Sequence, residues 1–338
     1  MDASFRIRVS LLAAVLLSGC ETLGYYTQAI GGHLSLMSHA QPVAALLADP
    51  ATPQALRERL ALARSIREFA AKELKLPDNA SYRSYADLGR PYAVWNVVAA
   101  PEFSLEPVKS CFPVAGCVAY RGFFAKDDAE RHAEGLRAAG NDVHLYGVPA
   151  YSTLGRFDDP LLSTFIGYPH TELARLVFHE LAHQLVYVKD DSTFNESFAV
   201  AVERAGVRHW LAATGRAAGL KDFLEAQERS ERTLRDFEAA RTRLKALYGM
   251  PLSPEAMRAR KRGELQALRE KLGSEPKYAK LDPNNALLAS FATYTQLVPV
   301  FERLLAEDGG DFERFYARVK ALAASEPSSR GPLSTPRR

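Results

Sequence analysis

Three observations predict a helix-rich α+β fold for this chain. Apolar residues recur every three or four positions with charges between them, as Leu56, Leu60, Leu62, Ile66, Phe69 and Ala70 do within 54–74. Residues 81–124 have a different character: aromatic and β-branched residues dominate, and Gly and Pro interrupt them. Beyond residue 171 the periodicity is helical alone. The 338 residues are ample for a core and fit one large domain or two small ones.

Each element follows from local chemistry. Arg6 and Arg8 precede an apolar run over 11–17 that is too short for an ordinary membrane span. Leu17-Ser18-Gly19-Cys20 resembles a bacterial lipobox, in which the cysteine is lipidated and becomes the first residue of the mature chain. It predicts a signal peptide over 1–19 and a lipid anchor at Cys20. The alternative is an ordinary signal peptide or membrane anchor with an incidental cysteine. Glu21, in place of the Asp that retains lipoproteins in the inner membrane, points to an outer-membrane anchor facing the periplasm. Residues 20–50 read as a tether, 51–324 as the folded domain and 325–338, rich in Ser, Pro and Arg, as a disordered tail.

Within the domain, the helix over 54–74 ends at Pro77-Asp78-Asn79. Segments 92–99, 103–109 and 118–124 read as short strands. A helix over 127–139 closes at Gly140, and 142–146 is another strand. Helices are expected over 171–186 and 194–213. Residues 221–273 form a charged antiparallel hairpin that breaks at Gly249-Met250-Pro251 and restarts at Ser253-Pro254, a cap with Pro in the first turn. Sparse apolar positions favour a solvated arm there over a partner-binding coil. Segments 285–307 and 311–324 are amphipathic helices.

The balance of 43 basic and 40 acidic residues argues against nucleic acid as a partner. After Cys20 only Cys111 and Cys117 remain. In an oxidising periplasm they predict a disulfide, with two reduced, buried thiols as the other reading.

The chemistry gathers at His179-Glu180-Leu181-Ala182-His183, an H-E-x-x-H motif. Four residues apart on a helix, the two imidazoles share a face and grip one ion. Glu180 points about 100° away, toward the water such an ion would hold. Together with the preceding strands, this predicts a zincin-like catalytic core, a small sheet plus an active-site helix. A catalytic zinc takes a third protein ligand. The metzincin pattern needs Gly at 186 and His at 189, where this chain has Val186 and Lys189. Asn195-Glu196-Ser197-Phe198-Ala199 instead offers Glu196 from the next helix, although Glu196 also fits a capping box begun by Thr193.

Four supporting roles are weighed against ordinary ones. Tyr294 is an oxyanion donor or a packed aromatic. Glu203 supports a ligand histidine or forms a surface ion pair. Glu172 meets a substrate amine or sits solvated at a helix N-terminus. Ala150-Tyr151-Ser152-Thr153-Leu154-Gly155 is an edge strand for substrate pairing or a connecting loop.

The run FHELAHQLVYVKDDSTFNESFAVAVE, with CFPVAGCVAYRGFF, AYSTLGRFDDPLLSTFI and NNALL followed by Tyr294, resembles a family of bacterial predicted aminopeptidases of the gluzincin type, over roughly 50–324. The resemblance implies a zinc metallopeptidase acting on peptides, with Zn2+ on His179, His183 and Glu196 and Glu180 as general base. Two features depart from better-known gluzincins. Only twelve residues separate His183 from Glu196, and the G-x-M-E-N motif that binds a substrate amine is missing. An endopeptidase, or a non-catalytic lipid-anchored binding protein on a peptidase fold, is the competing reading.

Overall fold

The computed structural model describes residues 27–28, 30–112, 116–150, 153–276 and 278–325, without the side chains of 217 and 292–295. The leader over 1–19, Cys20 and the tail from 326 lie outside the described residues. The fold is helix-rich α+β with small sheets. No helix among the described residues is long and apolar enough to cross a membrane.

The sheet that matters for the site has the order β6–β3–β7, all antiparallel: β3 (Val94–Pro101) lies between β6 (Arg121–Phe123) and β7 (Asn141–Val148). Alternation along β3 separates its two faces. Val97 and Ala99, with Phe123 and Val143, pack on Ala129 and Ala133 of helix α3 (Lys126–Ala138). On the other face, Val98 and Ala100 pack with Tyr120, Tyr146 and Ala286. Val94 and Asn96, on that same face, border a cleft.

Helix α2 (Gln54–Lys72) buries Leu60, Ala63, Ile66 and Ala70 in the main core. Its Arg67, 1% exposed, donates to the carbonyls of Ser81, Pro77 and Asn79 at 2.9, 2.7 and 3.0 Å and holds the 77–81 turn against the helix. The stretch expected to be a tether is partly built into the fold. Residues 30–38 are helical, helix α1 (Val43–Ala48) precedes α2, and Leu36 and Val43 join the main core. A second small sheet pairs β1 (Gln41–Pro42), β2 (Ser84–Ala86) and β8 (Leu161–Leu162).

Several expectations are corrected. Segment 103–109 is not a strand. Ser104 turns it back onto Pro101, Pro107 has no amide hydrogen to give a ladder, and Phe103 and Leu105 pack into the hairpin's core. Segment 118–124 splits: β5 (Gly116–Val118) pairs with β4 (Ser110–Phe112) in a hairpin of its own, and β6 joins the main sheet. In that hairpin Cys111 faces Cys117, and the two are joined in a disulfide.

Helices α4 (His170–Leu185) and α5 (Ser192–Ala213) pack closely. Gly206 permits this: a Cβ there would stand 2.8 Å from Phe178 and 2.7 Å from Leu74. The cap of α5 is Asp191, whose side chain accepts from Phe194 N at 3.0 Å, so Thr193 does not begin a capping box.

The charged hairpin is α6 (Ala217–Tyr248) and α7 (Pro254–Leu272), and it is not a free arm. Phe237, Leu244, Leu247, Met257 and Leu268 close a second core with Leu287 and Leu288 of helix α8 (Asn285–Thr295) and with Leu105. The helix expected over 285–307 breaks at 296–297 into α8 and α9 (Val298–Glu307), with Pro299 in the first turn of α9. Helix α10 (Phe312–Ala324) completes the chain's described order.

Candidate metal centre

α4 and α5 bring His179, His183 and Glu196 together. The Nε2 atoms of the two histidines lie 3.1 Å apart. Glu196 Oε2 stands 3.4 Å from His179 Nε2 and 3.6 Å from His183 Nε2. The group is set deep: Glu196 is 9% and His183 8% exposed. His179 and His183 meet because they are one turn apart on α4. Glu196 meets them because the intervening loop is short and clamped. Val188 N donates to Asn195 Oδ1 at 2.7 Å, and Asn195 Nδ2 donates to Val188 O at 2.8 Å. Asp190 takes the left-handed conformation, with φ at 66°, and turns the chain into α5.

Behind the cluster, Glu203 Oε2 accepts from His179 Nδ1 at 2.9 Å. That bond places a proton on Nδ1 and aims Nε2 at the other two donors. Arg175 Nη1 donates to Glu203 at 3.0 Å, and its Nε donates to Glu172 at 2.9 Å. Two carboxylates therefore flank one imidazole. Burial alone would lower the His179 pKa, but the hydrogen bonds and charges of Glu196 and Glu203 push it up to about 10. Burial raises Glu196, but the charge of His183 and hydrogen bonds from both histidines pull it down to about 2. The cluster favours positive charge at this point, whether carried by a proton or by a metal ion.

The cluster opens into a cleft of about 540 Å³ between α4 and the main sheet. Glu180 lines it, and none of the described residues hydrogen-bonds its carboxylate. Burial raises the Glu180 pKa, against the lowering charges of His179 and His183. Tyr120 and Asn96 line the sheet side, and Phe112 and Val118 of the disulfide-closed hairpin form part of the wall. Strand β5 of that hairpin rests on the loop after α4: Cys117 N donates to Asp190 Oδ1, and a Cβ on Gly116 would run into that side chain.

The predicted residues divide. His179, Glu180, His183, Glu196 and Glu203 converge. Glu172 is bound to Arg175 and does not line the cleft. The Tyr294 side chain lies outside the described residues, as do Tyr151 and Ser152. The rest of 150–155 contains no strand; Leu154 and Gly155 form a turn with φ of 58° and 75°. Sequence reasoning missed Asn195, Arg175, Tyr120 and Asn96. Arg175 sits one turn before His179 on the same face, which could have marked it.

Fold and site together define a class: a chain with two helices that bring a His-His-Glu group, spaced so that it could hold a metal ion, to the floor of a cleft. A protein-family model described as "Putative aminopeptidase" matches residues 24–332, and the chain belongs to that family. No curated protein and no solved structure matches it.

Proposed function

We propose that this chain is a zinc-dependent peptidase and, in keeping with its family's description, an aminopeptidase. One observation carries the metal assignment: the separations of 3.1, 3.4 and 3.6 Å among the three donor atoms. Donors held about 2.0–2.2 Å from zinc at tetrahedral angles lie about 3.3–3.6 Å apart. Two imidazoles and a carboxylate are also the donor set of a catalytic rather than a closed structural zinc. The arrangement of Glu203 behind His179 is the carboxylate–histidine pairing that orients metal ligands.

Zinc held by His179, His183 and Glu196 would supply a Lewis acid that polarises the scissile carbonyl and acidifies a water. Glu180 takes the water's proton and passes it to the leaving amine nitrogen. Its raised pKa suits both halves of that transfer. Tyr120 lines the cleft and is a hydroxyl suited to donate to the developing oxyanion, beside Tyr294, whose side chain lies outside the described residues. Glu203 and Arg175 keep His179 in register throughout. The zincin-like core and the lipid anchor at Cys20, which would hold the enzyme at the periplasmic face of the outer membrane, belong to the same proposal. Labelling with a fatty-acid analogue, lost in Cys20→Ala, tests the anchor.

A specific observation favours endopeptidase action as the second reading. Among the described residues, Glu180 and Glu196 are the only carboxylates lining the cleft, and both are committed to chemistry or metal. A panel of free and N-blocked peptides, with and without chelator and with Glu180→Gln, tests both. Zinc peptidase activity requires cleavage that chelator and Glu180→Gln each abolish, with zinc still bound to the variant. Equal cleavage of blocked peptides would discard the aminopeptidase label.

A further inference from the structure

Asn96 is a buried carboxamide, 6% exposed, and no described residue hydrogen-bonds its side chain. Its polar atoms are therefore open only toward the cleft, where their donor and acceptor stay available to an occupant. It stands at the middle of the sheet, on the one strand paired on both sides, opposite Gly122 on β6 and Tyr146 on β7. That backbone is rigid. The side chain lies on the face toward the metal centre and lines the same cleft as Glu180 and Tyr120.

The position facing Asn96 is kept clear. A Cβ on Gly122 would stand 3.2 Å from Asn96 Oδ1 and 3.1 Å from Val94 Cγ1. Any side chain there would crowd the carboxamide and close the floor of the cleft. Glycine has no conformational need to be at 122, since its φ is not in the left-handed region. What it provides is space beside a polar group that has both a donor and an acceptor to offer.

We infer that Asn96 is the anchor for the substrate's backbone, with its Nδ2 donating to a peptide carbonyl and its Oδ1 accepting from a peptide N–H. The carboxamide and the peptide group are complementary in donors and acceptors, and neither carries charge. The anchor therefore reads peptide backbone rather than a particular side chain, and Gly122 clears the path to it. This rests on the peptidase reading and adds to it the group that holds the substrate against the zinc.

The test uses zinc-loaded full-length protein with Asn96→Val, Gly122→Ala and Asn96→Asp, and short peptides as probes. Asn96→Val should raise KM about tenfold, the equivalent of one lost hydrogen bond, and change kcat much less. Its melting temperature should hold or rise, because no partner within the fold is lost. Gly122→Ala should raise KM in the same direction. Asn96→Asp should shift preference toward peptides with a free amine, since it gives the cleft an uncommitted carboxylate. Peptide affinity of Glu180→Gln, with and without Asn96→Val, reads binding apart from turnover. If wild-type protein cleaves the peptides but Asn96→Val keeps its KM, or loses stability instead, the anchor is wrong and the peptidase reading stands. If wild-type protein neither cleaves nor binds peptides, the peptidase reading falls and the anchor falls with it.

Discussion

Two buried polar clusters in this chain use similar side chains to opposite ends. Where the hairpin meets the sheet, Lys261, 7% exposed, donates to Asp142 Oδ2 at 2.7 Å and to Glu102 O at 2.8 Å. Asn285 is just as fully engaged: its backbone N donates to Asp142, and its Nδ2 donates to the carbonyls of Pro101 and Glu102. The groups of this cluster are turned on one another. Between α4 and α5, by contrast, three ligand-type atoms of His179, His183 and Glu196 converge on one point, and Glu180 and, across from it on β3, Asn96 line the cleft beside them with no described side-chain hydrogen bond. Polar groups that satisfy each other hold a fold together. Polar groups that converge without satisfying each other are waiting for a ligand.

The comparison breaks or sharpens by mutation. The largest effect should be Glu180→Gln, which loses about a thousandfold in kcat while zinc content measured by atomic absorption stays near one per chain. If activity survives, the open cluster is not catalytic. Lys261→Met should cost about 1–3 kcal/mol in urea unfolding, because half-buried Asp142 loses its cationic partner and keeps only the Asn285 N–H, with zinc content unchanged. A loss of metal instead would show that the two clusters are coupled. Glu203→Gln should weaken zinc affinity 10- to 100-fold in a competition titration with a chromogenic chelator, with little change in stability of the metal-free protein.

The smallest effect concerns Asp159, which is buried beside the cleft turn and accepts from Thr153 N at 3.0 Å. Burial raises its pKa to about 6 against hydrogen bonds from Thr153. The folded chain therefore holds a proton between pH 4 and 6 that the unfolded chain has lost. Stability falls as pH rises through that window and stays reduced above it. Asp159→Asn should raise stability at pH 7 by about 1–2 kcal/mol and flatten the pH 4–6 profile of the melting temperature. A variant less stable at pH 7 would show that the carboxylate is needed charged.

The local part of all this was legible in the sequence. His179, His183 and Glu196 lie on successive helices whose periodicity is strong, so their faces follow from spacing alone. Glu203 follows too, two turns beyond Glu196. Asn96 and Tyr120 do not, because a strand's alternation says that residues share a face but not which face meets the metal. That depends on β3 being covered by α3 on one side. Phe103 and Leu105 imitated a strand because their apolar character serves the hairpin's core and not the sheet. The hairpin imitated a solvated arm because its apolar partners, Leu287 and Leu288, come from a segment past its end. Nothing local to 221–273 announces them.

The clamp of Asn195 on Val188 has a consequence for how the protein comes to be. All three ligands fall within 179–196, a single pair of neighbouring helices and the short loop that Asn195 staples. Such a unit closes with little loop entropy and forms on the timescale of local contacts, ahead of the long-range sheet pairing between residues near 96 and 146. The three side chains thus come together before the sheet that walls their cleft, and a zinc ion held as proposed would find its donors assembled while the cleft is still unbuilt.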